Sequence, residues 1–416
     1  ASHNPWEHFI HSHEILHLGG ALYRRPDFKA AAGSPDADRP MERNIWLMGP
    51  DGWRYWRSVE TPPRSERPAR FTPLPKTGFH FFGLGRGLNA HSGLLAAAPT
   101  HNHAHHDFAS IDICGFGRPL LTDPGAADYG VDDYRSDRVH NTSVLVRREP
   151  LGPRIDNDDH AFTAFAYETP LLQAASVRHD LYENHRIRRT LILVDAQRAL
   201  GLPVSDAPDV VWIILDRIDR LVPWPDGATV PHEFIETFFH FNAPESELGV
   251  DADTLTVWSR YGKPETIRRF NGDDIRCAGK PSVLSRDWLH RALDMTDSDA
   301  NIQITAVPMR RKHSIMDMRL FESAMHSYGG RVQRPAVAYR FRGFLPFDAA
   351  FVLVPFQAVR RSAPATVSGH WTRARQLQLT IGLPKGRIDM RIKGVSDNRT
   401  TPDIAIRGRR TKPRTQ

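Results

Sequence analysis

The chain has 416 residues, enough for about two to three domains. Its apolar content is 40%, ordinary for a globular protein, and no apolar run approaches the roughly 18 residues that a membrane span requires. The net charge of +7 sits almost entirely at the C-terminal end, where residues 391–416 hold eight Lys/Arg against two Asp/Glu; the body is near neutral and carries no nucleic-acid motif, so neither membrane nor nucleic acid is expected as a partner.

In chain order, Asn4-Pro5-Trp6-Glu7 reads as a helix start: Asn4 caps, Pro5 suits the first turn and Glu7 stands at the capping-box position. Residues 36–70 are rich in Pro, Arg and Asp and read as a linker, with aromatic islands at Trp46 and at Trp53, Tyr55 and Trp56. Phe79–Leu84 reads as the first strand of a β domain. The following GLGRG lacks the third glycine of a dinucleotide fingerprint. Cys114 and Cys277 are too few for a disulfide framework, and Cys114 reads as a small buried residue of an apolar strand.

The chemistry concentrates between Thr100 and Val144. Four of the chain's 21 histidines, His101, His103, His105 and His106, lie within six residues. In an extended backbone His103, His105 and Asp107 share one face. Residues 108–114 read as a strand, Gly115–Arg118 as a tight turn and 119–122 as the return, ended by Asp123-Pro124-Gly125. His140-Asn141-Thr142 then precedes a further strand. His105, Asp123 and His140 make a two-histidine, one-carboxylate set that suits zinc or another first-row divalent ion.

Beyond Val146 the pattern is strand-like almost throughout, with candidates at 161–167, 185–194, 210–216, 233–241, 254–258, 301–307, 336–341, 349–356 and 377–381. Alternation of apolar and polar residues predicts antiparallel strands with one buried face. Arg186, Arg188 and Arg189 read as a solvated strand face, and residues 396–416 as a basic flexible tail.

The run HAHHDFASIDICGFGRPLLTDPG, followed by VHNTSV, resembles the C-terminal domain of the heparinase II/III-like polysaccharide lyases, which include alginate-lyase relatives. The shared pattern is met at His103, His105, Asp107, Gly117, Leu120, Leu121, Asp123, Pro124, Gly125, His140, Asn141 and Thr142. The resemblance implies a mainly β protein: a large antiparallel β-sandwich preceded by a short helical remnant of an α/α toroid. It divides the chain into 1–75 (end of the toroid and linker), 76–395 (sandwich) and 396–416 (tail), with the rest of the toroid expected upstream. It implies Zn2+ held by His105, Asp123 and His140, with His103 as acid/base group and Tyr134, or else Tyr129, as the tyrosine that follows D-P-G. The implied substrate is an acidic, uronate-containing polysaccharide cleaved by β-elimination; the compartment stays open, periplasmic or secreted if a leader lies upstream of Ala1. In such lyases the carboxylate-neutralising Asn or His and a catalytic Tyr come from the toroid, so little activity is expected of this chain alone. The competing readings are a non-catalytic carbohydrate-binding module that retains the metal site and a cupin-type metal enzyme.

Overall fold

Short runs of β-branched and aromatic residues, punctuated by Gly, Pro and Asp, fill the chain after residue 70, and they fold as antiparallel strands. The computed structural model describes residues 20, 22–26, 28, 42–59, 68–97, 106–123, 137–146, 161–223, 231–242, 248–260, 299–309, 314–327, 330–358, 360, 363–394 and 401–411. In chain order the strands are β1 (Thr72–Leu74), β2 (Phe79–Leu84), β3 (His91–Ala96), β4 (Ser110–Gly115), β5 (Arg118–Leu121), β6 (Ser143–Leu145), β7 (Ala161–Glu168), β8 (Leu172–His179), β9 (His185–Asp195), β10 (Val210–Arg220) and β11 (Glu233–His240). They continue with β12 (Leu248–Asp251), β13 (Thr256–Ser259), β14 (Ala300–Pro308), β15 (Ile315–Ser327), β16 (Gly330–Gly343), β17 (Phe347–Gln357), β18 (Thr366–Trp371), β19 (Leu377–Leu383), β20 (Gly386–Lys393) and β21 (Asp403–Arg410).

Among the described residues the strands form four sheets: β1-β2-β3-β4-β5; β12-β13-β14-β17-β10-β9-β8-β7; β15-β16-β11-β6; and β18-β19-β20-β21. The eight-stranded sheet explains the longest apolar runs. Along β10, Val210, Trp212 and Ile214 enter one core while Val211, Ile213 and Leu215 enter the other. β17 divides in the same way, with Ala349, Phe351 and Leu353 on one side and Ala350, Val352 and Val354 on the other. Both faces are covered, so these central strands lose the one-face alternation and read as continuous hydrophobic stretches. The first core lies against the five-stranded sheet and β6, β11 and β16; the second lies against β19 and β20. The arrangement is thus a layered, mainly β sandwich, as expected.

Other expectations need correction. Residues 42–58 of the supposed linker form a helix, α1 (Glu42–Ser58), broken at Gly49, whose φ of 65 and ψ of 179 are non-helical. Pro50 restarts it, where a missing N–H costs no hydrogen bond. Trp56 on this helix is fully buried. The supposed tail contributes β21, paired in register with β20 from Gly386↔Arg410 to Lys393↔Asp403. Cys114 is half-buried rather than buried. The helix expected at residue 4 lies outside the described residues. Two compact units separate, 1–68 with 86–88 and 69–85 with 89–416. No helix among the described residues is long and apolar enough to cross a membrane.

Candidate functional site

β4 and β5 form a hairpin whose two-residue turn, Phe116 and Gly117, has φ of 53 and 76, the positive pair that tight hairpins need. The returning strand delivers Leu121 and Thr122 to the end of β11. Leu121 and Phe241 form a single bridge, Thr122 N–H donates to His240 O at 3.3 Å, and Asn242 N–H donates to Leu120 O at 3.0 Å. Two sheets are therefore stitched edge to edge by a few bonds, and Asp123 leaves the chain at that seam. Side chains reinforce it: Arg118 donates to the carbonyls of Ala300 and Asn242, and Arg334 donates to Thr122 Oγ1. Burial, with Arg118 beside it, pushes the Arg334 guanidinium down to about 9.

The second part of the site is the 3-10 turn Asp137–Val139, which runs through His140-Asn141-Thr142 into β6. Asn141 is completely buried. Its Nδ2 donates to Ile111 O at 2.9 Å on β4, and its Oδ1 accepts His240 N–H at 2.7 Å on β11. Thr142 Oγ1 donates to Phe108 O at 2.5 Å. These bonds hold the His140 backbone against the strand that carries Asp112.

His140, wholly buried, then meets Asp123: Nδ1 and Oδ2 are 2.7 Å apart, and the carboxylate remains about one-third exposed (34%). Asp112 Oδ1 accepts the backbone N–H of Asp123 at 2.8 Å. Asp107 belongs to the same electrostatic cluster. Desolvation pushes the Asp112 carboxyl up to about 7, with the Asp123 charge adding to it; desolvation also raises Asp107. His240 packs behind, its Nδ1 2.7 Å from Ser323 Oγ and its Nε2 3.1 Å from Arg138 O. Burial lowers His240 to about 3, helped by His140, so its ring is neutral at ordinary pH.

Arg189 corrects the reading of β9 as a solvated face. Its side chain and that of Asp216 are both fully buried and joined by two bonds of 2.7 Å. The remaining N–H groups reach Ala109 O (3.0 Å), Asn141 O (2.6 Å) and Ser143 Oγ (3.0 Å), so all five donors are used. Ser143 Oγ in turn donates to Asp216 Oδ2 at 2.7 Å. One guanidinium on the eight-stranded sheet thereby ties down both the approach to β4 and the residues that follow His140. Arg188 is buried as well.

Of the residues expected to bind metal, Asp123 and His140 are brought together. His105, His103, Tyr134 and Tyr129 lie outside the described residues. Among the described residues, no group of three or more His, Cys, Asp or Glu is placed to hold an ion. The sequence pattern places Arg189 on a solvated face and singles out none of Asp216, Asp112 and His240, although each is an ionisable side chain inside or at the end of an apolar strand run.

The similarity to known structures falls on this architecture. Heparan sulfate lyase HepC from Pedobacter heparinus matches with a TM-score of 0.54 and 14% identity, over 95% of this chain and 48% of that one. A heparinase III matches with a TM-score of 0.53 and 12% identity, over 92% and 47%. The fold is that of the heparinase C-terminal β-sandwich. The chain spans about half the length of these structures. No family model matches the sequence, and no curated protein matches it. In this heparinase-like sandwich the site combines three carboxylates with a buried imidazole at a seam between sheets. Carboxylates crowded at low dielectric raise one another's proton affinity, and a cation placed among them relieves that cost.

Proposed function

We propose that this chain is the β-sandwich portion of a polysaccharide lyase that cleaves uronate-containing chains by β-elimination. The observation that carries the reading is the 2.7 Å approach of His140 to Asp123 within a lyase-type sandwich. The donor types suit zinc, since imidazole and carboxylate are its usual ligands; Asp107 and Asp112 beside them are raised chiefly by burial, with the Asp123 charge adding to it. His105, Asp123 and His140 would hold the ion, which would supply a fixed positive charge among them.

β-Elimination asks three things of a protein. The uronate carboxylate must be neutralised so that negative charge can build at the adjacent carbon. A base must remove the C5 proton, and an acid must protonate the departing 4-oxygen. His103 takes the first proton transfer or the last, since an imidazole can both accept and donate a proton, and Tyr134 is its partner. The Arg189 and Asn141 clamps hold His140 and the start of β4, the strand that follows His103 in the chain.

The test pairs metal analysis with turnover. Purified protein should hold about one zinc per chain and lose it on His140→Ala, as a two-histidine, one-carboxylate site requires. Absorbance of the unsaturated product, followed with heparan-type and alginate-type chains on a version extended upstream, should fall steeply on His103→Ala. Equal zinc in wild type and His140→Ala, or elimination unaffected by His103→Ala, overturns the reading.

A further inference from the structure

Five of the cations near the C-terminal end, Arg391, Lys393, Arg407, Arg409 and Arg410, stand on strands of a folded sheet. In the β18-β19-β20-β21 sheet, Ile388, Met390 and Ile392 of β20 are buried in the second core, so the alternate residues face outward. The register sets Arg387 opposite Arg409, Asp389 opposite Arg407, Arg391 opposite Ala405 and Lys393 opposite Asp403. Asp389 is taken up by Arg387 (2.8 and 3.0 Å) and by Thr380 (2.8 Å). Lys393 lies 3.9 Å from Asp403. Arg391, Arg407 and Arg409 are exposed and have no ion pair among the described residues.

Edge strands often carry charge to block edge-to-edge pairing, and that would account for β21. It does not account for Arg387 and Arg391, which stand on β20, between β19 and β21. Like charges directly across strands, as at Arg387 and Arg409, repel and are retained at a cost. Toward β18 the same face turns polar and uncharged: Gln378 is opposite Arg391, and Ser368 and His370 are opposite Thr380 and Gln378. Cations at strand spacing beside neutral hydrogen-bonding groups suit a chain that alternates anionic groups with hydroxyls.

We propose that this outer face is a second binding surface, for a linear anionic polysaccharide, on the opposite side of the eight-stranded sheet from His140 and Asp123. Arg391, Arg407 and Arg409 make the charge contacts, and Gln378, Thr380 and Ser368 serve the hydroxyls. The surface would hold a long substrate to the protein between cleavage events. The choice of a sugar chain among polyanions rests on the lyase reading; the charge pattern stands apart from it.

The test uses the whole chain and a heparin-derived decasaccharide, with binding measured at low and at raised salt. A duplex DNA of matched charge and neutral dextran serve as the other probes. Arg391→Gln/Arg407→Gln/Arg409→Gln should bind the decasaccharide about tenfold more weakly and show a shallower salt dependence, as loss of cation–polyanion contacts does. A control removing the equally exposed Arg70, Arg319 and Arg342 should stay within about twofold, with unchanged circular dichroism in both variants. Equal binding by the triple variant and wild type, an equal loss in the control, or tighter binding of the duplex overturns the proposal. If no uronate polymer is cleaved by any version while the triple variant still loses binding, the lyase reading falls and this surface stands.

Discussion

Removing the Arg189 guanidinium should damage stability and the site together. In Arg189→Met the stem volume is largely kept, but Asp216 is left as a fully buried carboxylate with Ser143 as its one remaining neutral donor. Breaking a buried ion pair from one side costs about 3–5 kcal/mol, chiefly because a charge is stranded in low dielectric. Two further acceptors, Ala109 O and Asn141 O, lose the Arg189 donor, and Ser143 Oγ is left with Thr237 Oγ1 alone as donor. The expected loss, read by urea denaturation, is therefore about 4 kcal/mol or more. Adding Asp216→Leu removes the stranded charge, so the double variant should recover about 2 kcal/mol or more relative to the sum of the single changes. The site reports separately: His140 sits one residue before the released Asn141 carbonyl, so a bound zinc should exchange faster to a chelator in Arg189→Met. A loss under about 1 kcal/mol with unchanged metal exchange would refute the view that this clamp sets the position of the His140 segment.

Asn141→Ala strands the Ile111 carbonyl and the His240 N–H; each orphaned buried group costs about 1–3 kcal/mol, so a loss of about 2–6 kcal/mol is expected by denaturation, with Asn141→Asp no better because its carboxylate cannot donate to Ile111. Acid should destabilise the fold through its buried histidines. Burial lowers His91 to about 4 and His179 and His240 to about 3, while the unfolded value is 6.5. The unfolded state thus binds more protons, and stability, complete above pH 6.5, is lost as pH falls toward those lowered values. At pH 5 each histidine accounts for about 2 kcal/mol, and Asp112, raised to about 7, works in the opposite direction and offsets about one of them. Urea midpoints measured with chelator present should fall clearly between pH 7 and pH 5; unchanged midpoints would contradict the assigned burial.

The fold class was legible because strand period and turn chemistry are local properties. Runs such as 210–216 and 349–356 announced strands from composition alone, and the Phe116-Gly117 hairpin from its glycines. What stayed hidden depends on partners far along the chain. Arg189 and Asp216 are 27 residues apart, yet they meet side by side in adjacent strands. An alternating arginine looks solvated until a second layer covers the strand, and nothing in residues 185–195 says that both faces of the eight-stranded sheet are covered. The helix over 42–58 was concealed by its own breakers, since Gly49 and Pro50 read as linker when they only divide a helix.

The C-terminal strand shows where one kind of sequence reasoning overruled another that was better founded. Ile404 and Ile406 alternate with Ala405 and Arg407, the period of a half-buried strand, and β20 has the same alternation through Ile388, Met390 and Ile392. Net charge argued for a tail, but charge on one face of an alternating segment does not oppose folding: long arginine side chains keep their head groups in water while the apolar set is buried. The period specifies which residues can enter a core, whereas net charge specifies only what the remaining face can attract. Read in that order, the described cations Arg391, Lys393, Arg407, Arg409 and Arg410 become a property of a surface, and the same argument that returns β21 to the fold is what makes its outer face available to a polyanion.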